Sequence, residues 1–186
     1  MAIRNFGRDE RRPTMTTNHP AATKLKTKFP TMGLKAAEFR GEVQVVVPKT
    51  MLTEIVSFLK SDPELNYNML ADVSAVDYLN YPGAPKDGRY GLVYVLDSVP
   101  NAKRLILRVF VDDGEMEVDS LVPLYAAADW LEREVFDMFG IKFNNHPNLK
   151  RILTSDDFHA HPLRKNYPIT GKGEREDYPV VTRDSA

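Results

Sequence analysis

The sequence contains no cysteine in 186 residues. That single absence excludes disulfides, iron–sulfur ligation, thiolate zinc sites and cysteine nucleophiles. If electrons pass near this chain, a neighbour must hold the redox centres. Nor is there any run of the ~18 uninterrupted apolar residues that a spanning helix requires, so the chain is expected not to insert into a membrane itself. Net charge is almost absent, at −1, and no basic sheet interleaved with aromatics is evident, which argues against nucleic acid as a partner. Arg4, Arg8, Arg11 and Arg12 have no apolar run behind them, unlike a secretory signal, and Asp9 and Glu10 argue against a mitochondrial transit peptide.

What is present is unevenly spread. Residues 1–42 carry 9 Lys/Arg against 4 Asp/Glu, residues 43–140 carry 8 against 16, and residues 141–186 carry 8 against 6. An acidic body is thus flanked by a basic arm and a mildly basic tail. Hydrophobic residues make up 42%, enough for one packed core and too many for a wholly disordered chain.

Residues 1–42 lack sustained periodicity and contain Pro13, Pro20, Pro30 and Gly33, so they are expected to form an irregular basic N-terminal arm. Val43, Val45, Val46 and Val47 predict a strand ending at Pro48. Leu52, Ile55, Phe58 and Leu59 recur at helical spacing. Strands are expected over Met69–Tyr78, Tyr90–Leu96, Arg104–Val111 and Glu115–Asp119, with a turn-rich loop between Tyr81 and Gly88. A second helix, about Ala126–Phe139, closes on Gly140 as a C-cap. The order β-α-β-β-β-β-α over residues 43–140 predicts an α+β, two-layer sandwich: a mostly antiparallel sheet with two helices on one face. Residues 141–186 are rich in Pro, His and basic residues and read as an extended partner-binding tail.

The second helix carries the most information. At 100° per residue, Trp130, Leu131, Val135, Met138 and Phe139 form an apolar sector expected to face the sheet. Glu134 falls inside it, and a carboxylate there needs an internal partner. Phe136 projects between Glu132 and Arg133, and Arg133 and Asp137 are spaced for an i,i+4 ion pair. This side reads either as an ordinary solvated face or as a partner-binding ridge, an aromatic anchor ringed by charges.

Competing chemistries find less support. His146, His159 and His161, with Asp156 and Asp157, would be the ligands of a free-standing metal-dependent enzyme, but they lack the regular frame that fixes ligands. Glu132 and Glu134 lie ~160° apart on the helix, so they cannot act as an acid–base pair. Gly171-Lys172-Gly173 is too short for a phosphate loop.

Residues Glu132-Arg133-Glu134-Val135-Phe136-Asp137-Met138-Phe139, then His146, Lys150 and Arg151-Ile152-Leu153-Thr154, then His161-Pro162-Leu163-Arg164-Lys165-Asn166-Tyr167-Pro168, resemble the signature of the thirty-kilodalton subunit family of respiratory complex I. Ala160 stands where members commonly have Gly, and Asn166 where they have an acid. The resemblance implies a non-catalytic subunit of the peripheral arm of a proton-translocating NADH:quinone oxidoreductase. Such a subunit packs on the large, forty-nine-kilodalton-type subunit of the quinone module, peripherally at the cytoplasmic face of the bacterial inner membrane. FMN and iron–sulfur clusters would lie in other subunits, and none in this chain. Equivalent subunits occur in membrane-bound hydrogenases and other non-NADH dehydrogenases.

On this resemblance the partner interface is expected to include Glu132, Arg133, Phe136 and Asp137 on the helix. His146, Lys150 and Arg151 would follow, and then His161, Pro162, Arg164, Lys165, Tyr167 and Pro168 in the tail. Glu134 is expected to be a buried structural carboxylate. No residue is expected to be catalytic.

Overall fold

A computed structural model describes residues 19–172 of the chain. Three helices, α1 (Pro20–Lys28), α2 (Leu52–Ser61) and α3 (Ala128–Phe139), accompany seven strands. The strands are β1 (Lys35–Phe39), β2 (Glu42–Val46), β3 (Met69–Asp77), β4 (Tyr90–Ser98), β5 (Lys103–Val111), β6 (Glu117–Asp119) and β7 (Lys142–Asn144). The first five form one sheet in the order β1-β2-β5-β4-β3, antiparallel except for the parallel β2–β5 pair. The α+β architecture and the mostly antiparallel sheet are as expected.

Strand alternation decides where the core lies. Val43 and Val45, Leu92, Tyr94 and Leu96, and Leu105, Leu107 and Val109 all point to one face and are nearly inaccessible. Their partners in register, such as Tyr94 with Leu107 and Val45 with Leu107, stack this face into a continuous apolar layer. The buried faces of the helices close over it, with Ala22 and Leu25 from α1, Ile55 and Leu59 from α2, and Val135 and Phe139 from α3.

Residues 20–39 overturn the expectation of an irregular arm over 1–42; residues 1–18 lie outside the described part. Helix α1 opens on Pro20 at its first turn and buries only Ala21, Ala22 and Leu25. Two alanines and a leucine give a periodic signal too faint to register, so tertiary packing stabilises this helix. Lys24 reaches Asp62 and Glu64, each at 2.8 Å, and Phe29 meets Phe58 edge-on at 6.0 Å. Strand β1 then pairs with β2 across Arg40-Gly41, whose φ values of 53° and 82° suit a tight two-residue hairpin.

Two further expectations change. The strand at Glu115–Asp119 shrinks to β6 and leaves the main sheet to pair in parallel with β7. The segment beyond Gly140 does not simply extend away: β7 is structured, and the chain up to Asn166 packs back onto α3 and the end of the sheet.

Candidate functional site

The site is built on α3 and the segment that follows it. The helix buries Ala128, Glu132, Val135 and Phe139, an i, i+4, i+7, i+11 stripe, against the core. Glu132 is therefore a core-facing carboxylate with no exposed surface. Ser120 Oγ donates to its Oε2 at 2.6 Å and the Leu121 N–H to its Oε1 at 2.7 Å. Burial pushes its pKa up to about 7, and these two donors only partly offset that rise. The His146 side chain, fully buried, lies 4.0 Å away. Its Nδ1 accepts from the Asn148 N–H at 3.0 Å, which places the ring proton on Nε2, 3.2 Å from the Asp129 carbonyl.

Asp137 follows Glu132 by five residues, about 140° around the helix, and points away from the core. It is equally inaccessible because residues 150–161 cover it. Its Oδ1 accepts from Arg151 Nη1 at 2.8 Å and from the Thr154 hydroxyl; its Oδ2 accepts three backbone N–H groups, from Ile152, Leu153 and Thr154, at 2.7–3.0 Å. Burial opposes the ionised form, yet the Thr154 hydroxyl and those backbone donors outweigh it and hold the carboxyl at about 2. Arg133 Nε donates to the Lys150 carbonyl at 3.1 Å, so the same helix turn fixes the segment at a second point.

A helix leaves its last four carbonyls without internal donors. In α3 each finds one. Gly140 N–H donates to Phe136 O at 2.8 Å, His161 Nδ1–H to Asp137 O at 2.9 Å, Leu163 N–H to Met138 O at 3.2 Å, and Arg164 Nε–H to Phe139 O at 2.6 Å. Three of the four donors thus come from residues 161–164. The Arg164 charge also complements the negative end of the helix dipole. Gly140 adopts φ 75°, and a Cβ there would run into the His161 ring and the Arg164 guanidinium. Glycine is required at this position both for the left-handed turn and for the crossing segment.

A third anchor lies at the sheet end. Arg89 makes a bidentate pair with Asp77 at 2.9 and 2.7 Å and also reaches Asp113 at 2.8 Å. The Lys165 N–H donates to Asp77 at 2.9 Å, and Asn166 Oδ1 accepts from Arg89 at 3.3 Å. Burial works against ionised Asp77, but Arg89 and the backbone donors of Lys165 and Leu79 hold it at about 2.

Several expected roles need correction. Glu134 is exposed, and Trp130 is 62% exposed. Including the indole among the sheet-facing residues rotates the apolar sector away from the true stripe, which contains Glu132. Glu132, Asp137 and His146 are expected at a partner interface, but their side chains are inaccessible and engaged inside the chain. The Arg133–Asp137 pair does not form: Asp137 takes Arg151, while Arg133 stacks over Trp130 at 4.7 Å. Phe136, expected to project outward, is half-buried and packs against the core, with the His161 ring at 6.5 Å. Arg151, Arg164 and His161 face inward in large part, and Tyr167 packs on Phe158 at 5.9 Å. Pro162 is half-buried, whereas Lys150, Lys165 and Pro168 are exposed.

The His146, His159 and His161 ligand set is not assembled. Among the described residues no three His, Asp or Glu side chains are placed to share a metal ion. Gly171-Lys172-Gly173 extends past the last described residue. Asp77 and Arg89 are missed by the sequence reading, although an acid in register with the core-facing Tyr90 is a usable signal.

Clamped in this way, the segment presents apolar groups to solvent. Leu153 is 62% exposed, Leu163 53%, and Ile169 fully. Trp130 precedes Asp137 by two helix turns and shares its side of α3. Single exposed apolar residues are ordinary, but four large ones on and beside one clamp are a candidate docking surface.

Residues 45–173 match the family described as "Respiratory-chain NADH dehydrogenase, 30 Kd subunit". The chain is 46% identical over 164 residues to the C subunit of NADH-quinone oxidoreductase from Geotalea uraniireducens, covering 88% of this chain and 95% of that protein. It is 41% identical over 152 residues to the protein of that name from a Roseiflexus species, covering 82% and 84%. Among solved structures it resembles the trypsin-resistant fragment of Nqo5, with TM-score 0.61 and 31% identity over 69% of this chain and 99% of that one. A chain of the membrane-bound sulfane sulfur reductase, an archaeal respiratory membrane complex, shares the fold at TM-score 0.66 and 22% identity, over 87% and 91%.

Proposed function

The chain belongs to the family of the respiratory-chain NADH dehydrogenase 30 Kd subunit, and from that premise we propose that it is a structural subunit of the peripheral arm of a proton-translocating NADH:quinone oxidoreductase. It supplies no catalytic residue. Its task is to hold the large, forty-nine-kilodalton-type subunit of the quinone module through the outward side of the clamped segment. FMN and iron–sulfur clusters reside in neighbouring subunits, which suits a chain that has no cysteine to ligate them. The complex sits at the cytoplasmic face of the bacterial inner membrane, and this chain joins it through partners. Among the described residues no helix is long and apolar enough to cross a membrane.

One observation carries the docking reading: residues 150–166 are fixed by three internal anchors, yet Leu153 and Leu163 are left in solvent, as is Trp130 on the helix they are clamped to. A segment held at this cost in ordering, with apolar side chains facing out, is preorganised for a partner. A second reading, an equivalent subunit of a non-NADH complex, draws on the shared fold of the sulfane sulfur reductase chain.

The test is affinity purification of the tagged full chain from its native host, with mass spectrometry of what accompanies it. Cysteine-rich, flavin-containing subunits and the large quinone-module subunit are expected. Leu153→Asp combined with Ile169→Asp is expected to lower their recovery at least about tenfold, a loss of ~1.4 kcal/mol, without moving the Tm of the isolated chain. Recovery of the native chain alone, as a stable monomer, would sink the subunit reading. Undiminished recovery of the double variant would sink only the docking surface.

A further inference from the structure

The three helices close one face of the main sheet, and the register lays out the other. One row across it runs through Val46, Arg108 and Val93, the next through Gln44, Ile106 and Val95, with Phe110 beyond. All seven side chains are half-exposed. An antiparallel sheet with a wet face normally carries polar side chains there. Here five of the seven are apolar and β-branched or aromatic, and Val76 adds a further exposed one on β3.

The other two are Gln44 and Arg108. The Arg108 guanidinium takes part in no hydrogen bond or ion pair among the described residues. The acids that the register puts on this face lie elsewhere. Asp97 is committed to Arg104 through two bonds at 2.8 and 2.9 Å. Glu42 sits at that same end of the sheet, and Asp72 is two strands away from Arg108, beside Val95. In water an unpaired arginine is unremarkable in cost. Once the flanking valines are covered, the same group must lose its water, and that demands an acceptor from whatever covers them. A carboxylate matches the planar fork of a guanidinium best.

We infer that the open face of the sheet, centred on Arg108, docks a neighbouring subunit through an element that presents apolar side chains around a carboxylate. The inference rests on the reading of this chain as a subunit of a larger complex, and not on the clamp being its docking surface. Other occupants fit less well. The segment 1–18 brings Arg4, Arg8, Arg11 and Arg12, which would add cations beside Arg108 and Arg104. A second copy packed symmetrically would bring a second Arg108 toward the first. The segment 173–186 is acidic, but the chain reaches it from the other side of the sheet. Lys172 lies over the Tyr167 ring at 5.8 Å, and Tyr167 packs on Phe158 beside the α3 clamp.

Because the chain has no cysteine, a single Val93→Cys substitution places a unique reporter on this face. In the free full-length chain the thiol is expected to react readily with a maleimide. In the purified complex the rate is expected to fall at least tenfold. Arg108→Glu is expected to lower incorporation into the complex at least tenfold, with Arg108→Lys intermediate and the Tm of the free chain unchanged in both. Equal labelling in the free chain and the complex would overturn the inference. So would slow labelling of the free chain that is relieved by removing residues 173–186, or slow labelling that depends only on its own concentration. If the clamp is not a docking surface, Leu153→Asp with Ile169→Asp assembles normally while Arg108→Glu does not. If the present inference fails, that pattern reverses.

Discussion

Helix α3 carries two carboxylates with no exposed surface, and they behave in opposite ways. Asp137 accepts five hydrogen bonds, three of them from consecutive backbone N–H groups, and stays ionised down to about pH 2. Glu132 accepts two, sits 4.0 Å from a histidine whose proton is directed at a carbonyl, and takes up a proton near pH 7. Neither side chain reaches solvent, but Glu132 lies deeper, inside the core, and has fewer donors, so stronger desolvation and weaker hydrogen bonding together raise its pKa while the donors win at Asp137. Asp137 organises a segment that has no core of its own, while Glu132 is tolerated within a core that already exists. The first is expected to matter for attachment of the C-terminal segment, and the second for how stability varies with pH.

Asp137→Asn tests the comparison hardest. The amide cannot serve Arg151 and all four of the other donors, so the segment loses its main anchor. We expect a loss of about 3 kcal/mol of attachment, read as roughly hundredfold faster tryptic cleavage after Arg151, with the sheet and α1–α2 retaining their near-ultraviolet signal. Unchanged cleavage would mean that Asp137 is no anchor. Gly140→Ala leaves the carboxylate intact but forces a Cβ into His161 and Arg164 at a left-handed residue. Its expected cost is about 2 kcal/mol, measured by the same cleavage assay and by urea unfolding.

Glu132→Gln probes the other side. The folded pKa of Glu132 is raised, so the folded state holds a proton that the unfolded chain releases near pH 4.5. Its contribution is complete below that value and declines as pH rises through about 7, by at most about 1 kcal/mol per pH unit. The glutamine variant is expected to lack that decline between pH 5 and 7 and to exceed the parent chain in stability at pH 8. Identical pH profiles would place the titration elsewhere. The smallest effect belongs to Glu134→Ala. An exposed residue with no resolved anchor should alter unfolding free energy by less than about 0.5 kcal/mol, and a larger loss would mean that it has a partner after all.

That last expectation reverses what the helix wheel suggests, and the reason is physical. A wheel sorts side chains by polarity and assumes one dry face. Helix α3 has two, one made by the sheet and one by residues 150–161, so polar groups are drawn into both and Trp130 is left outside. The strands are legible because alternation such as Leu105, Leu107, Val109 is set by a single buried face. The hairpin loop before Gly88 and the Gly140 cap are legible because turn chemistry is local. Helix α1 is not, since its buried face is two alanines and a leucine. The segment after Gly140 looks partnerless for a related reason: what it pairs with are backbone carbonyls and one aspartate, which no hydropathy pattern records. The family resemblance assigns Asp137, Arg151, His161 and Arg164 to a partner, whereas in the fold they bond to one another and to the end of α3.

The carbonyls at the end of α3 have a consequence for when this molecule becomes useful. Three of them wait for donors more than twenty residues downstream, at His161, Leu163 and Arg164. During synthesis the sheet and α2 can form while that stretch is still inside the ribosome. The helix end cannot be finished, nor Leu153 and Leu163 set in their places, until Arg164 has emerged. A nascent or prematurely ended chain would therefore carry the body with the end of α3 uncapped and the proposed docking side chains not yet in place.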